Sequence, residues 1–417
     1  MEVVYTHCAG LDVHKKTVVA TVIVPAATSG LVKETRTFET FTADLLTLSD
    51  WLQSHAVTHV AMESTGEYWR PIYNILEGNF EVLLVNAQHM HQVPGRKTDV
   101  KDSEWLVDLL RHGLVRASFV PPAAQRDLRD LTRHRGNFVR ERTNLVNRVH
   151  KTLEGANIKL GAVATDVLGV SGRAMLEALI AGHSDPPTMA ELSKGRLRNK
   201  REALAKALDG RVKPHHRFIL TELLCQIDSL DETIEHFDTQ IAEQCHPFEQ
   251  VVVHLDTITG IGPDLAQAIL AEIGTDMSRF GDARRLSAWA GVAPGNNESG
   301  GKRRSGKTRK GNRVVKSLLV QAAWAATHTK DSYLATLYHR VAARRGKKKA
   351  IVAVAHALLV IIFHVIARNE PYRELGGDYF DKQDPETTAK RLVKRIEKLG
   401  FQVTWQPQAA PNSVPAR

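Results

Sequence analysis

The sequence predicts an α/β N-terminal domain followed by a helical arm and a mostly α-helical C-terminal domain, and three observations carry that division. Strand and helix signals alternate over residues 1–118, helical periodicity is almost continuous over 124–250, and glycine-punctuated helical segments return from Val251. The expected domains are 1–118, an arm or coiled coil over 119–250, a third unit over 251–380, and a C-terminal helix with a flexible tail over 381–417.

In the first part, "HCAGLDV" and "TVVATVIVP" are rich in β-formers, and "VKETRTFETF" alternates polar and apolar residues. "ADLLTLSDWLQSH" has an amphipathic helical spacing, "VTHVAMES" reads as a buried strand and "YWRPIYNILEG" as a helix. "EVLLVNA" is a further strand, and "DVKDSEWLVDLLRHG" a helix ending at Gly113. The order βββαβαβα implies a mixed sheet with helices packed on it. The arm is broken at "GHSDPP" and "GRVKPHH". Its helix "RDLRDLTRHRGNFVRERTNLVNRVHKTLE" carries many basic residues, readable as a solvated face, a nucleic-acid rail or a dimer arm. In "LLCQIDSLDETIEHFDTQIAEQ" apolar residues recur at three and four, as in a helical hairpin or coiled coil, which favours oligomers.

A net charge of +10 and a pI of about 9.5, with the excess gathered in a few stretches, point to a polyanionic partner, nucleic acid first. Cys8, Cys225 and Cys245 form no CxxC pair, so neither a disulfide framework nor a zinc site is supported, and a reducing cytoplasm is expected. The N-terminus lacks the order of a signal peptide. "AIVAVAHALLVIIFHVIA" reaches the length of a membrane span, but His356 and His364 interrupt it, so a buried core helix and no membrane are expected.

Three groups of residues carry chemistry. The first is acidic. Asp12 follows an apolar run, Glu63 ends a strand, and Asp99 and Asp102 stand three apart where a helix begins, on one helical face. Singly, each has a structural use: Asp99 as an N-cap, Asp102 in a capping box, Asp12 in a turn. Together, carboxylates from two strands and a later helix can converge at one sheet edge, and theirs is the residue order of a ribonuclease H-like nuclease core. Such hard oxygen donors suit Mg²⁺ or Mn²⁺ acting on a phosphodiester. The second group is "TGIGPDLAQAILAEIG", where Gly260 and Gly262 lead into a helix as in a helix-hairpin-helix element that grips a nucleic-acid backbone; a plain glycine turn is the alternative. The third is the basic loop "ESGGKRRSGKTRKGN" with Ser299 near its start. From Lys302 to Lys316 there are eight basic residues, Lys302, Arg303, Arg304, Lys307, Arg309, Lys310, Arg313 and Lys316, and no acid. "ARRGKKKA" adds five more. No neighbouring base activates the Ser299 hydroxyl, so serine chemistry there needs arginines and a bound metal to stabilise developing charge.

"GLDVHKK", "MESTGEYW", "RKTDVKDSEWL", "TGIG…AEIG", "LSAWAGVAPGNNESGGKRRSGKTRKGN" and "ARRGKKKAIVAVAHALL" together resemble the transposases of the insertion-sequence one-ten family, from about Gly10 to Phe380. That resemblance implies a RuvC-like domain with the acidic set Asp12, Glu63, Asp99 and Asp102, and a transposase domain whose serine is Ser299. Ser305 is the competitor in the same loop. Many members carry a serine where this chain has Thr308, a departure that disfavours Thr308. The resemblance further implies cleavage and rejoining of DNA through a covalent serine–DNA bond, metal-bound carboxylates, a homo-oligomer (dimer or tetramer) whose subunits share each site, and guidance by a structured RNA encoded in the element. A nucleoid-associated prokaryotic location follows. The competing readings are a metal-dependent nuclease or junction resolvase with no covalent intermediate, and a non-catalytic nucleic-acid-binding protein.

Overall fold

The computed structural model describes residues 2–26, 30–64, 66–85, 102–295, 297–308 and 310–404, with backbone alone for 297–299, 303 and 304. It divides into two compact units, one up to Pro121 and one from Pro122 onward.

The first unit runs β1 (Cys8–Val13), β2 (Thr17–Pro25), β3 (Leu31–Glu39), α1 (Thr42–Ser54), β4 (His59–Glu63), α2 (Trp69–Leu76), β5 (Glu81–Val85) and α3 (Asp102–Arg111). The sheet order is β3-β2-β1-β4-β5. The first three strands form an antiparallel meander, while β1, β4 and β5 run parallel, so the sheet is mixed as expected. β1 and β4 are buried on both faces, which is why their sequences read as apolar runs rather than clean alternations. Ala9, Leu11 and Val13 meet Leu45, Leu48 and Leu52 of α1 and Ile72 and Leu76 of α2 on one face. On the other, Cys8, Ala61 and Val85 pack against Leu106, Val107 and Leu110 of α3. Each fully buried leucine contributes about 2 kcal/mol of transfer free energy. β3, at the edge, keeps Lys33, Glu34 and Arg36 in its alternation, and charge on an edge strand discourages pairing with another chain.

The second unit opens with α4 (Ala123–Gly155), continues through α5 (Leu160–Val163), α6 (Val170–Ala181), α7 (Pro186–Glu191), a 3-10 turn (Gly195–Lys200) and α8 (Arg201–Leu208), and returns along α9 (Pro214–Cys245). The two expected breaks have physical causes. Gly182 takes a left-handed φ of 97° to end α6, Asp185 caps α7 through Thr188 N, and Pro214 opens α9 where its missing N–H costs nothing. α4 and α9 lie antiparallel. Arg135 binds Asp238 and Arg142 binds Asp231, so ion pairs recur seven residues apart along both helices, the repeat of a coiled coil. Leu145, Val149 and Leu153 of α4 and Leu220, Leu224 and Ile227 of α9 join the small helices in one core at the tip.

The chain then forms α10 (Glu249–Asp256), α11 (Pro263–Ile273), α12 (Ala283–Trp289), β6 (Asn297–Ser299), β7 (Lys302–Ser305), α13 (Arg313–Thr327), α14 (Tyr333–Arg345), α15 (Lys347–Arg368), α16 (Tyr379–Gln383) and α17 (Pro385–Glu397). α15 is the long apolar segment. It is long and apolar enough to cross a membrane, yet Ala350, Ile351, Val354, Leu358, Leu359 and Ile362 are buried among α10 to α14 as the core of this part.

Candidate active site

β1 and β4 run parallel with Leu11 paired to Met62, and one further residue along each strand brings Asp12 beside Glu63. Residues paired across neighbouring strands share a face about 5 Å apart. That face is the one α3 covers, because side chains alternate along a strand and Gly10, two residues before Asp12, lies under α3. A Cβ on Gly10 would collide with the Ser103 carbonyl oxygen and stand 2.6 Å from Val107 N. Glycine is therefore what allows the helix backbone to rest on the strand. α3 runs against β1: the carbonyl of Arg111 accepts from Val4 N at 2.9 Å and Tyr5 N at 3.2 Å, beside the start of β1. Its first residue, Asp102, consequently lies toward the carboxyl ends of β1 and β4. A buried hydroxyl pair, Thr21 with Ser103 at 2.9 Å, fixes this packing.

Strand register and helix direction thus put Asp12, Glu63 and Asp102 toward the same end of one sheet face, while Asp99 lies outside the described residues. Among the described residues no three His, Cys, Asp or Glu side chains are drawn together as a metal cluster. The sequence reading missed His14, whose Nε2 lies 3.1 Å from Asp12 Oδ2 while 59% of its side chain stays exposed. Its place two residues after Asp12 at the strand end was the available signal. Cys8 and Cys245 are buried, and burial pushes both thiols up to about 11, so neither supplies a thiolate ligand near neutral pH.

In the second unit the basic loop is a β-hairpin rather than an irregular loop. Ser299 pairs with Lys302, and Gly300 and Gly301, at φ 58° and 72°, form the two-residue turn between them. Positive φ at both central positions matches the strand twist and selects glycine, so "SGGK" was the legible hairpin signal. The base is pinched by close backbone approaches: a Cβ at Gly295 would strike the Lys307 carbonyl, and one at Gly311 would strike Gly291 N and stand 2.5 Å from the Trp289 carbonyl. The side chains of Ser299, Arg303 and Arg304 are not described, and Arg309 lies outside the described residues. Lys302, Lys307, Lys310 and Arg313 are exposed. Of the competing hydroxyls, Ser305 accepts from Lys307 N at 3.1 Å and Thr308 accepts from Lys316 Nζ at 2.9 Å.

Beside the start of α13 stands a residue that the sequence did not single out. Glu272, at the end of α11, is fully buried. Its carboxylate accepts from Arg133 of α4 at 2.6 and 3.0 Å and from Asn312 Nδ2 at 2.9 Å. Asn312 caps α13 by accepting from Val314 N and Val315 N. One carboxylate therefore ties the arm helix, α11 and the end of the basic segment together. The two glycines of the turn between α10 and α11 differ. Gly260, φ 92°, lies against α13, where a Cβ would stand 2.5 Å from the Ala322 carbonyl; Gly262 is exposed with open space beside it.

A family model described as transposase, of the DEDD type of IS110 elements, matches residues 9–158, and one described as transposase IS116/IS110/IS902 family matches residues 253–339. The chain is 27% identical over 328 residues to a probable family 20 transposase of Pseudomonas aeruginosa, covering 75% of this chain and 85% of that protein. It is 26% identical over 326 residues to the transposase for insertion sequence element IS1111A of Coxiella burnetii, covering 75% and 79%. A pilin gene-inverting protein of Moraxella bovis is 28% identical over 155 residues, 34% of this chain and 48% of that one. With both matches in order along one chain, the protein carries two segments that match transposase domains of IS110-type insertion sequences and is a DNA transposase or recombinase.

Proposed function

We propose that the chain cuts and rejoins DNA through a covalent serine–DNA intermediate at Ser299, assisted by a ribonuclease H/RuvC-like, metal-bound carboxylate set. The observation that supports this reading best is the position of Asp12 and Glu63 side by side at the ends of adjacent parallel strands, with the first residue of α3, Asp102, toward the same end. These are hard oxygen donors of the kind Mg²⁺ or Mn²⁺ takes, so Asp12, Glu63, Asp99 and Asp102 are the residues that would hold the ion. Bound there, the ion would stabilise charge developing on phosphate oxygens.

The chain's own residues supply the rest. Ser299 Oγ attacks phosphorus, the new P–Oγ bond forms, the bond to the departing strand oxygen breaks, and that oxygen takes up a proton. In the rejoining step the hydroxyl of the incoming strand attacks phosphorus, the P–Oγ bond breaks and the serine recovers its proton. Lys302, Arg303, Arg304, Lys307, Arg309, Lys310 and Arg313 offset phosphate charge around the hairpin. α10, its glycine turn and α11 act as a helix-hairpin-helix element toward the DNA backbone, with Gly262 on the approachable side and Gly260 shaping the turn. An element-encoded guide RNA and a homo-oligomer, dimer or tetramer, in a prokaryotic cytoplasm complete the proposal on the strength of the family resemblance. Relatives named for pilin gene inversion fit a cut-and-rejoin reaction.

The test is a denaturing gel for covalent protein–DNA adduct with Mg²⁺, donor DNA and RNA transcribed from the element's flanks. Wild type should give an adduct that Ser299→Ala abolishes and Asp12→Asn strongly reduces. Cleavage without adduct in either would replace this reading with a metal-dependent nuclease.

A further inference from the structure

The tip of the arm lies between the two family matches, beyond residue 158 and before residue 253, and no part of the proposed chemistry uses it. It nevertheless carries a concentrated charge. Lys194, Arg196, Arg198 and Lys200 fall within seven residues containing no acid, and all four are exposed. Among the described residues none of the four forms an ion pair; the Lys200 ammonium reaches only the Val163 carbonyl, at 3.5 Å.

The turn that presents them is held in place. Lys194 N donates to Ser171 Oγ at 2.8 Å, Gly195 takes a left-handed φ of 56°, Leu197 packs on the tip core, and Arg201 closes the base on Glu191 at 2.9 Å. Anchored backbone with free cationic side chains is what a phosphate-contacting surface needs, because the ordering cost is met by the scaffold. Between Pro186 and Pro214 the sequence has no Phe, Trp or Tyr, so the surface offers charge without the stacking platforms that single-stranded nucleic acid uses. From Arg133, which binds Glu272, to the tip end of α4 at Gly155 is roughly 30 Å of helix, about one turn of B-DNA.

We propose that Lys194, Arg196, Arg198 and Lys200 form a second, sequence-independent contact with the phosphate backbone of duplex DNA, about one helical turn from the duplex held at the transposase domain. This surface works by charge alone and holds whether or not Ser299 is the nucleophile.

The experiment measures binding of the full chain to a duplex of mixed sequence across a salt series. Replacing all four residues with alanine should make the slope of log affinity against log salt shallower by about 3 to 4. Arg196→Ala with Arg198→Ala alone should make it shallower by about 2, and Arg196→Lys with Arg198→Lys should leave it unchanged. Thermal unfolding of each variant checks the fold; should the fourfold variant unfold early, the double alanine variant decides. An unchanged slope in the decisive variant would overturn the proposal. So would unchanged duplex binding alongside weakened binding of a structured RNA, which would assign the surface to RNA.

Discussion

The arm helix α4 and the 3-10 turn at its tip are both crowded with basic residues, but they differ in how much of that charge is paired: α4 has several of its arginines in ion pairs, the turn has none among the described residues. On α4, Arg133 lies on Glu272, Arg135 on Asp238 and Asp264, and Arg142 on Asp231. Their carboxylates come from α9 and α11, about 90 to 140 residues away in sequence. In the 3-10 turn, Lys194, Arg196, Arg198 and Lys200 face solvent with no carboxylate in reach among the described residues. A count of lysine and arginine measures charge carried, whereas binding depends on charge left unpaired after folding.

The sharpest way to break this contrast is to remove the carboxylate that neutralises the arm most deeply. Glu272→Ala leaves Arg133 beside a buried void and Asn312 without its acceptor, and should cost about 3 kcal/mol of stability in denaturant unfolding. A loss below about 1 kcal/mol would mean the pair is no more than a surface bridge. Packing decides a second site in the same way. Gly10→Ala, which drives a methyl into the α3 backbone, should destabilise by about 2 kcal/mol and unseat Asp102 from its neighbours.

Uncovering the arm's arginines should turn one region into the other. Asp231→Asn with Asp238→Asn and Asp264→Asn, which leaves Arg135 and Arg142 without a carboxylate, should steepen the salt dependence of duplex binding by about 1 to 2, with a stability loss under about 1 kcal/mol per pair. If the slope stays put, Arg135 and Arg142 do not face DNA even when free. The smallest effect concerns Arg173, whose guanidinium holds the Asp228 carboxyl below its ordinary value. Because the folded pKa is depressed, this pair's contribution is complete above the unfolded value of about 4 and fades as pH falls through the lower folded value. The stability gap between wild type and Asp228→Asn should therefore be larger at pH 7 than near pH 3, though small at both, since these side chains are partly solvated.

Much of this was legible in the sequence. The succession of strands and helices, the helical breaks at Gly182 and Pro214, and the apolar core helix follow from periodicity and from the backbone limits of glycine and proline, which act within a few residues. The acidic set was nameable because Asp12 and Glu63 stand at the ends of apolar runs and Asp99 and Asp102 stand three apart where a helix begins. The hairpin at Ser299 was missed, although Gly-Gly between two short polar strands signalled it; its strands are too polar for hydrophobic alternation to mark them.

What the sequence by itself determined was the series of elements and which residues stand at their ends, since propensity, capping and glycine or proline geometry are local. Only the tertiary structure decided that Asp12 and Glu63 are neighbours, that Gly10 carries a helix on its back, that Glu272 joins the arm helix to the cap of α13, and which cations remain free. Those are consequences of strand register, helix direction and the meeting of charges distant in sequence, and no local pattern encodes which far residue will be the one that arrives.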